Sequence, residues 1–278
     1  MQLATIDEVV DEVGPLIETV PKFEPGTVWS ARQHMNARRT EPDPEIRQLL
    51  RNKWYRTNNS SLFELGKNGK AVAYLGDGTL IFGDLAEAVR QLTGETGNYR
   101  PGEEAAYAFK RAPDTVRAEL DGLRLRNHND EFSYFTISTL KGREGLNPLQ
   151  VVVAEKPYGQ AEDLEGNMKM LHDSGISETR IWVLNPDYVK QMAAQGPIAR
   201  ASGLGGFVGG SRFGAVGRDV GGAGGGLRGV RRRSAEGAPK IPEVLDEATT
   251  AALKTGQAFR YDGQLYVPVS SNAQVRLG

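Results

Sequence analysis

Cysteine is missing from all 278 residues, which removes disulfides, thiolate nucleophiles and every zinc site that needs sulfur. Histidine is nearly missing too: His34, His128 and His172 are the three, and no two of them stand at metal-ligand spacing. No apolar run reaches the roughly 18 residues of a membrane span. The start, MQLATIDEVVDEVG, carries acids where a signal peptide needs basic residues. A soluble, cytoplasmic protein with no membrane partner is expected. The chain also lacks a G-x-x-x-x-G-K-[ST] phosphate loop and a G-x-S-x-G nucleophile turn. Net charge is almost absent, since 34 basic residues against 35 acidic ones leave −1, and this excludes a uniformly basic nucleic-acid coat. No metal and no cofactor is expected.

Glycine is what the chain has in excess, and it is concentrated. Residues 202–237 read SGLGGFVGGSRFGAVGRDVGGAGGGLRGVRRRSAEG, with fourteen glycines. Arg212, Arg218, Arg228, Arg231, Arg232 and Arg233 face only Asp219 and Glu236 within that stretch, so it carries +4 in a chain of −1. Glycine loses more backbone freedom on ordering than any other residue, and the segment is expected to be a flexible linker. It would divide an α+β globular domain at 1–201 from a small module at 238–278. The remainder, in a chain 39% hydrophobic and 25% charged, has the make-up of an ordinary folded protein. A unit of roughly 40 residues seldom buries enough surface to fold unaided, so the end module needs something to dock on.

Local patterns fill in the fold class. Thr5 and Glu8 make a capping-box pattern before Val9, Val10 and Val13, which predicts a helix over about 6–12. A second helix is expected over 45–55. Runs at 70–75 and 79–82 flank Gly76-Asp77-Gly78, a tight-hairpin signal, and Asp84 then caps a helix. Helices are predicted over 103–111 and 113–123, and strands over 131–140, 149–154 and 180–184. A helix over 161–173 between the last two strands makes a strand-helix-strand crossover, which would set those strands parallel. A short helix follows Asn185. Beyond the glycine strip, a helix over 242–254 precedes a second Asp-Gly hairpin at 259–269. The whole reads as an α+β mixed sheet with hairpin-helix and strand-helix-strand units, a disordered Gly/Arg tether, and a helix-plus-hairpin module.

The chemistry offers two classes of function. Arginines on a pliant backbone can track phosphates and stack on bases, with Phe207 and Phe213 as added stacking surfaces. A second basic and aromatic cluster, including Arg38, Arg39, Trp54 and Arg56, suits a phosphate backbone in the same way. These residues and the six strip arginines are the candidate nucleic-acid contacts, and the first reading is a non-enzymatic binding or assembly protein. Its partner is nucleic acid or an acidic surface, and the end module is a docking point for a protein. The lack of familiar motifs would suit a virus-encoded or mobile-element protein. The alternative is an enzyme at a sheet crevice lined by Glu155, Lys156, Asn185 and Asp187, with His128 as a candidate acid-base group. An arginine at 124 or 126 before FTIST, with Glu155 and Glu162 beyond, is similar in outline to ADP-ribosyltransferases, although the acidic spacing differs. No catalytic residue is fixed by the sequence.

Overall fold

The structure is a computed structural model that describes residues 7–14, 19, 23, 27–76, 81, 98–206, 212–218, 226–232, 259–261 and 264–266. In chain order the strands and helices are β1 (Asp7–Val13), α1 (Ala31–Thr40), α2 (Pro44–Asn52), β2 (Tyr55–Leu65), β3 (Ala71–Gly76), α3 (Glu103–Arg111), β4 (Val116–Glu119), β5 (Arg126–Asn127) and β6 (Phe132–Ser138). Then follow α4 (Pro148–Tyr158), α5 (Ala161–Asp173), β7 (Glu178–Leu184), α6 (Pro186–Met192), β8 (Ile198–Leu204), β9 (Arg212–Arg218), β10 (Gly226–Arg232), β11 (Phe259–Tyr261) and β12 (Gln264–Tyr266). The α+β expectation holds as a mixture of helices with a mainly antiparallel sheet.

All the strands belong to one sheet, ordered β11-β12-β1-β10-β2-β8-β9-β7-β6-β5, with β3 and β4 branching from β2. The fork at β2 has a cause in the sequence. Between Arg56 and Ser60 the register against β8 slips, so the strand bulges there. The first end of β2 pairs with β10 and the last with β3. Six consecutive polar residues, Arg56 to Ser61, are buried at the bulge. Buried polar groups need partners, and the fork supplies several of them. Arg56 donates to the carbonyl of Gly14, Thr57 Oγ1 to that of Ser202, and Asn59 takes the N–H of Ala31 while giving its own to Gly76.

Side chains alternate across the sheet, so a core forms on each face, and a third, small cluster of Ile46, Leu50 and Tyr55 joins α2 to the start of β2. Phe63 of β2 faces the larger one with Met35 of α1, Val153 and Tyr158 of α4, and Leu164, Met168 and Leu171 of α5. Leu62 faces a smaller one with Phe23, Val28, Tyr99 and Phe109 of α3. Among the described residues, no helix is long and apolar enough to cross a membrane.

Several expectations change. Residues 7–13 form strand rather than helix, because a partner strand pairs with them along their whole length. β10 runs antiparallel beside them and sets Arg232 opposite Asp7, Arg231 opposite Glu8 and Arg228 opposite Asp11. Opposite charges across a strand pair stabilise it. That matching draws part of the glycine strip into the sheet: 212–218 and 226–232 are strand where a tether was expected, and β9 lies between β7 and β8. The remaining pieces, 207–211, 219–225 and 233–237, fall outside the described residues.

The crossover is also corrected. Residues 149–154 lie in α4, because Asn147 and Gln150 form a reciprocal capping box with Pro148 at the first helical position. β6 and β7 are therefore consecutive strands and antiparallel. The helix expected over 113–123 is β4 followed by a 3-10 turn at Leu120–Leu123. An unpredicted helix, α1, starts at a capping box of Ser30 and Gln33. Helix α2 ends at Asn52, and Tyr55 already belongs to β2. The second strand of the first expected hairpin, apart from Ile81, the helix after Asp84 and the helix over 242–254 fall outside the described residues. The second hairpin forms as β11 and β12, and it joins the main sheet of its own chain where Tyr266 meets Glu8.

Candidate binding face

At the β5 end of the sheet the two faces differ. Phe135, Ile137, Ile181 and Val183 are buried toward the helices. On the other face Tyr134, Thr136, Arg180 and Trp182 are partly exposed. Register brings these together: Tyr134 lies opposite Trp182, Thr136 opposite Arg180, and Ser138 opposite Glu178. Two residues apart along each strand is one step along a face, so the pairs form consecutive rows. Beside them, β5 sets exposed Arg126 opposite Tyr134.

Within this face the rings and cations are in contact. The Arg180 guanidinium sits 4.5 Å from the centre of the Tyr134 ring and 5.9 Å from that of Trp182. Glu178 holds the same guanidinium at 3.3 Å. The two aromatic rings are 4.9 Å apart and tilted, and His128 meets Trp182 edge-on at 4.8 Å. Cation and quadrupole attract, so the three side chains support one another in this arrangement. Chemically, it offers flat aromatic surface beside a guanidinium that is paired with Glu178. Sequence reasoning missed Tyr134, Arg180 and Trp182 as a group. Alternation in each strand was visible, but only the β6–β7 pairing shows that the two polar-aromatic faces coincide.

The residues singled out earlier are distributed differently. Arg38 is fully buried on α1, where it donates to the carbonyls of Gly205 at 2.9 Å and Lys53 at 3.1 Å, and burial above all pulls its pKa down to about 10. Arg39 binds Asp163 of α5 at 2.7 Å. Buried Arg56 lies 5.5 Å over the ring of Trp54, which is 36% exposed. Arg228 is buried, 3.7 Å from Asp11 and 5.2 Å from the Trp29 ring centre. In register, Arg212 stands opposite Glu178 and Arg218 opposite Ala201, while Arg231 and Arg232 stand opposite Glu8 and Asp7. Arg233 lies outside the described residues. In register, four of the strip's six arginines thus stand opposite acids that are remote in sequence.

Glu155 and Lys156 are on α4 rather than at a strand end, so they do not line the expected sheet crevice. Glu155 lies 3.9 Å from Arg143, and Lys156 donates to the carbonyl of Asp114. Asn185 caps α6 through the N–H of Asp187, which also pairs with Lys190. Arg124 turns with φ of 49°, Thr136 lies on β6, and Glu162 begins α5, so the residues that resembled an ADP-ribosyltransferase are spread over separate elements. Among the described residues no three His, Asp or Glu side chains gather as a metal site.

No protein-family model matches the chain, and no curated protein matches it. Among solved structures, one described as "Accommodation of massive sequence variation in Nanoarchaeota by the C-type lectin fold" is similar in fold. It superposes with a TM-score of 0.52 at 13% identity, over 84% of this chain and 100% of that one.

Proposed function

We propose that this chain is a non-enzymatic binding protein, and that its partner is an acidic protein segment laid on the face formed by β5, β6 and β7. One observation carries the reading: Tyr134, Arg180 and Trp182 form a preassembled cation and aromatic stack that stays partly exposed, while the opposite side of the same strands is packed by helices. Aromatic residues and arginine are the side chains that contribute most to binding at protein surfaces. The similarity to the C-type lectin fold supports a scaffold role. In the neighbouring protein, as described, that fold accommodates massive sequence variation. An acidic protein fits better than a nucleic acid here, because the arginines of β10 already face Asp7, Glu8 and Asp11.

A random copolymer of glutamate and tyrosine tests the reading, with single-stranded oligothymidylate as the competing probe. The copolymer is expected to bind the full chain in a salt-sensitive way, and a Tyr134→Ala/Trp182→Ala variant is expected to weaken it about tenfold or more. Equal binding by the variant would remove this face from the proposal. Preference for the oligonucleotide would return the function to the nucleic-acid reading based on Arg212, Arg218 and their neighbours.

A further inference from the structure

β10 joins the body of the sheet through a narrow seam. Its parallel pairing with β2 covers Gly226 opposite Tyr55 and Leu227 opposite Arg56. A bridge between Val28 and Gly229 and a 2.8 Å bond from the Trp29 N–H to the Arg228 carbonyl add to it. β1 hangs on β10, and the β11–β12 hairpin hangs on β1. Among the described residues few ladder bonds hold these four strands to the rest, and such a unit opens more readily than the core.

His34 lies in that seam with no exposed surface. Its ring stacks on Tyr55 at 4.7 Å and meets Trp29 edge-on at 5.3 Å. Among the described residues neither ring nitrogen has a hydrogen-bond partner. The charged and titratable groups around it come from each element packed there. They are Arg38 on α1 itself, Arg51 of α2 against the Arg38 carbonyl, Tyr55 on β2, Tyr158 of α4 near Arg38, Arg228 on β10, and Asp11 on β1 beyond Arg228. A neutral imidazole suits this place. An imidazolium would lack an acceptor and would stand beside two buried guanidiniums.

We propose that His34 is an acid-sensitive latch: on protonation, the β1–β10 pair and the β11–β12 hairpin come away from β2 while the body of the sheet stays folded. Burial first, then Arg38 and Arg228, hold the His34 pKa well below its ordinary value of 6.5. Because the folded state disfavours the proton, the latch is fully closed above the unfolded pKa and loses stability as pH falls below about 6.5. The opening constant rises about tenfold per pH unit until the folded pKa is reached.

Amide hydrogen exchange on the full chain at pH 7.5 and 5.0, corrected for the intrinsic pH dependence, reads the latch directly. Segments 7–13 and 226–232 are expected to lose protection at least tenfold at the lower pH, while 132–138 and 178–184 keep theirs. His34→Phe, which stacks but cannot take a proton, should abolish the response, and a His128→Ala/His172→Ala variant should retain it. Loss of protection in every strand together, no response in the wild type, or an unchanged response in His34→Phe would each overturn the latch. Should His34→Phe fail to fold, the ring-proton NMR titration of His34 decides: a midpoint displaced well below 6.5 supports the proposal, and an ordinary midpoint overturns it.

Discussion

A single buried guanidinium ties three parts of the chain together. Arg38 leaves α1 and reaches the carbonyl of Lys53 just past α2 and that of Gly205 just past β8; its own side chain is closed to water, and the two bonds are partly buried. Hydrogen bonds from a charged donor are stronger than neutral ones, and a buried acceptor left without its donor is costly. Arg38→Met keeps the apolar stem and removes the head, so both carbonyls lose that donor. We expect a loss of about 2–4 kcal/mol in unfolding free energy by urea titration. A loss below about 1 kcal/mol would mean that water replaces the guanidinium freely. Basic residues in a sequence invite a surface reading. Nothing in the row of Arg38 and Arg39 tells which one turns inward; only the packing of α1 on α2 and β2 separates them.

Helix α4 shows at the scale of an element why one reading failed and where the missed signal lay. LQVVVA is apolar apart from Gln150 and carries three valines, so periodicity alone does not separate a buried strand from a buried helix. Asn147-Pro148-Leu149-Gln150 does separate them, because its two side chains satisfy two orphan N–H groups and its proline fits a first turn. Asn147→Ala removes the cap and the bond to the Gly122 carbonyl, and should cost about 1 kcal/mol in thermal or urea unfolding. Ser30 and Gln33 offered the same signal for α1. By contrast β6, β7, α3 and α5 were legible almost to their ends, since their local pattern and their tertiary setting agree. The candidate face was only half legible. Its residues alternate correctly within each strand, but the pairing that aligns Tyr134 with Trp182 is a long-range fact.

Across the whole molecule, the strip of glycine and arginine and the acidic start of the chain are complementary halves of one feature. Each looks unpromising by itself: DEVVDEV alternates too little to declare a strand, and GLRGVRR has too much glycine to order cheaply. Paired antiparallel, they set three arginines against three carboxylates. Gly229 also has a local reason to be glycine, since a Cβ there would stand 2.7 Å from the Phe23 ring and 2.8 Å from the Thr27 carbonyl. The complementarity spans more than two hundred residues, which is why sequence windows do not reveal it.

The absence of cysteine gives that register a direct test. Val9 and Val230 are Cα partners in the β1–β10 pair, and directly opposite positions of an antiparallel pair lie within disulfide reach. In a Val9→Cys/Val230→Cys variant, mild oxidation should form an intramolecular disulfide in nearly every molecule, read by mass spectrometry and by non-reducing gel mobility. A Val9→Cys/Arg231→Cys variant, one residue out of register, should form little. Equal and sluggish cross-linking in both variants would show that 226–232 moves freely past 7–13, and would contradict the charge-matched sheet on which this account rests.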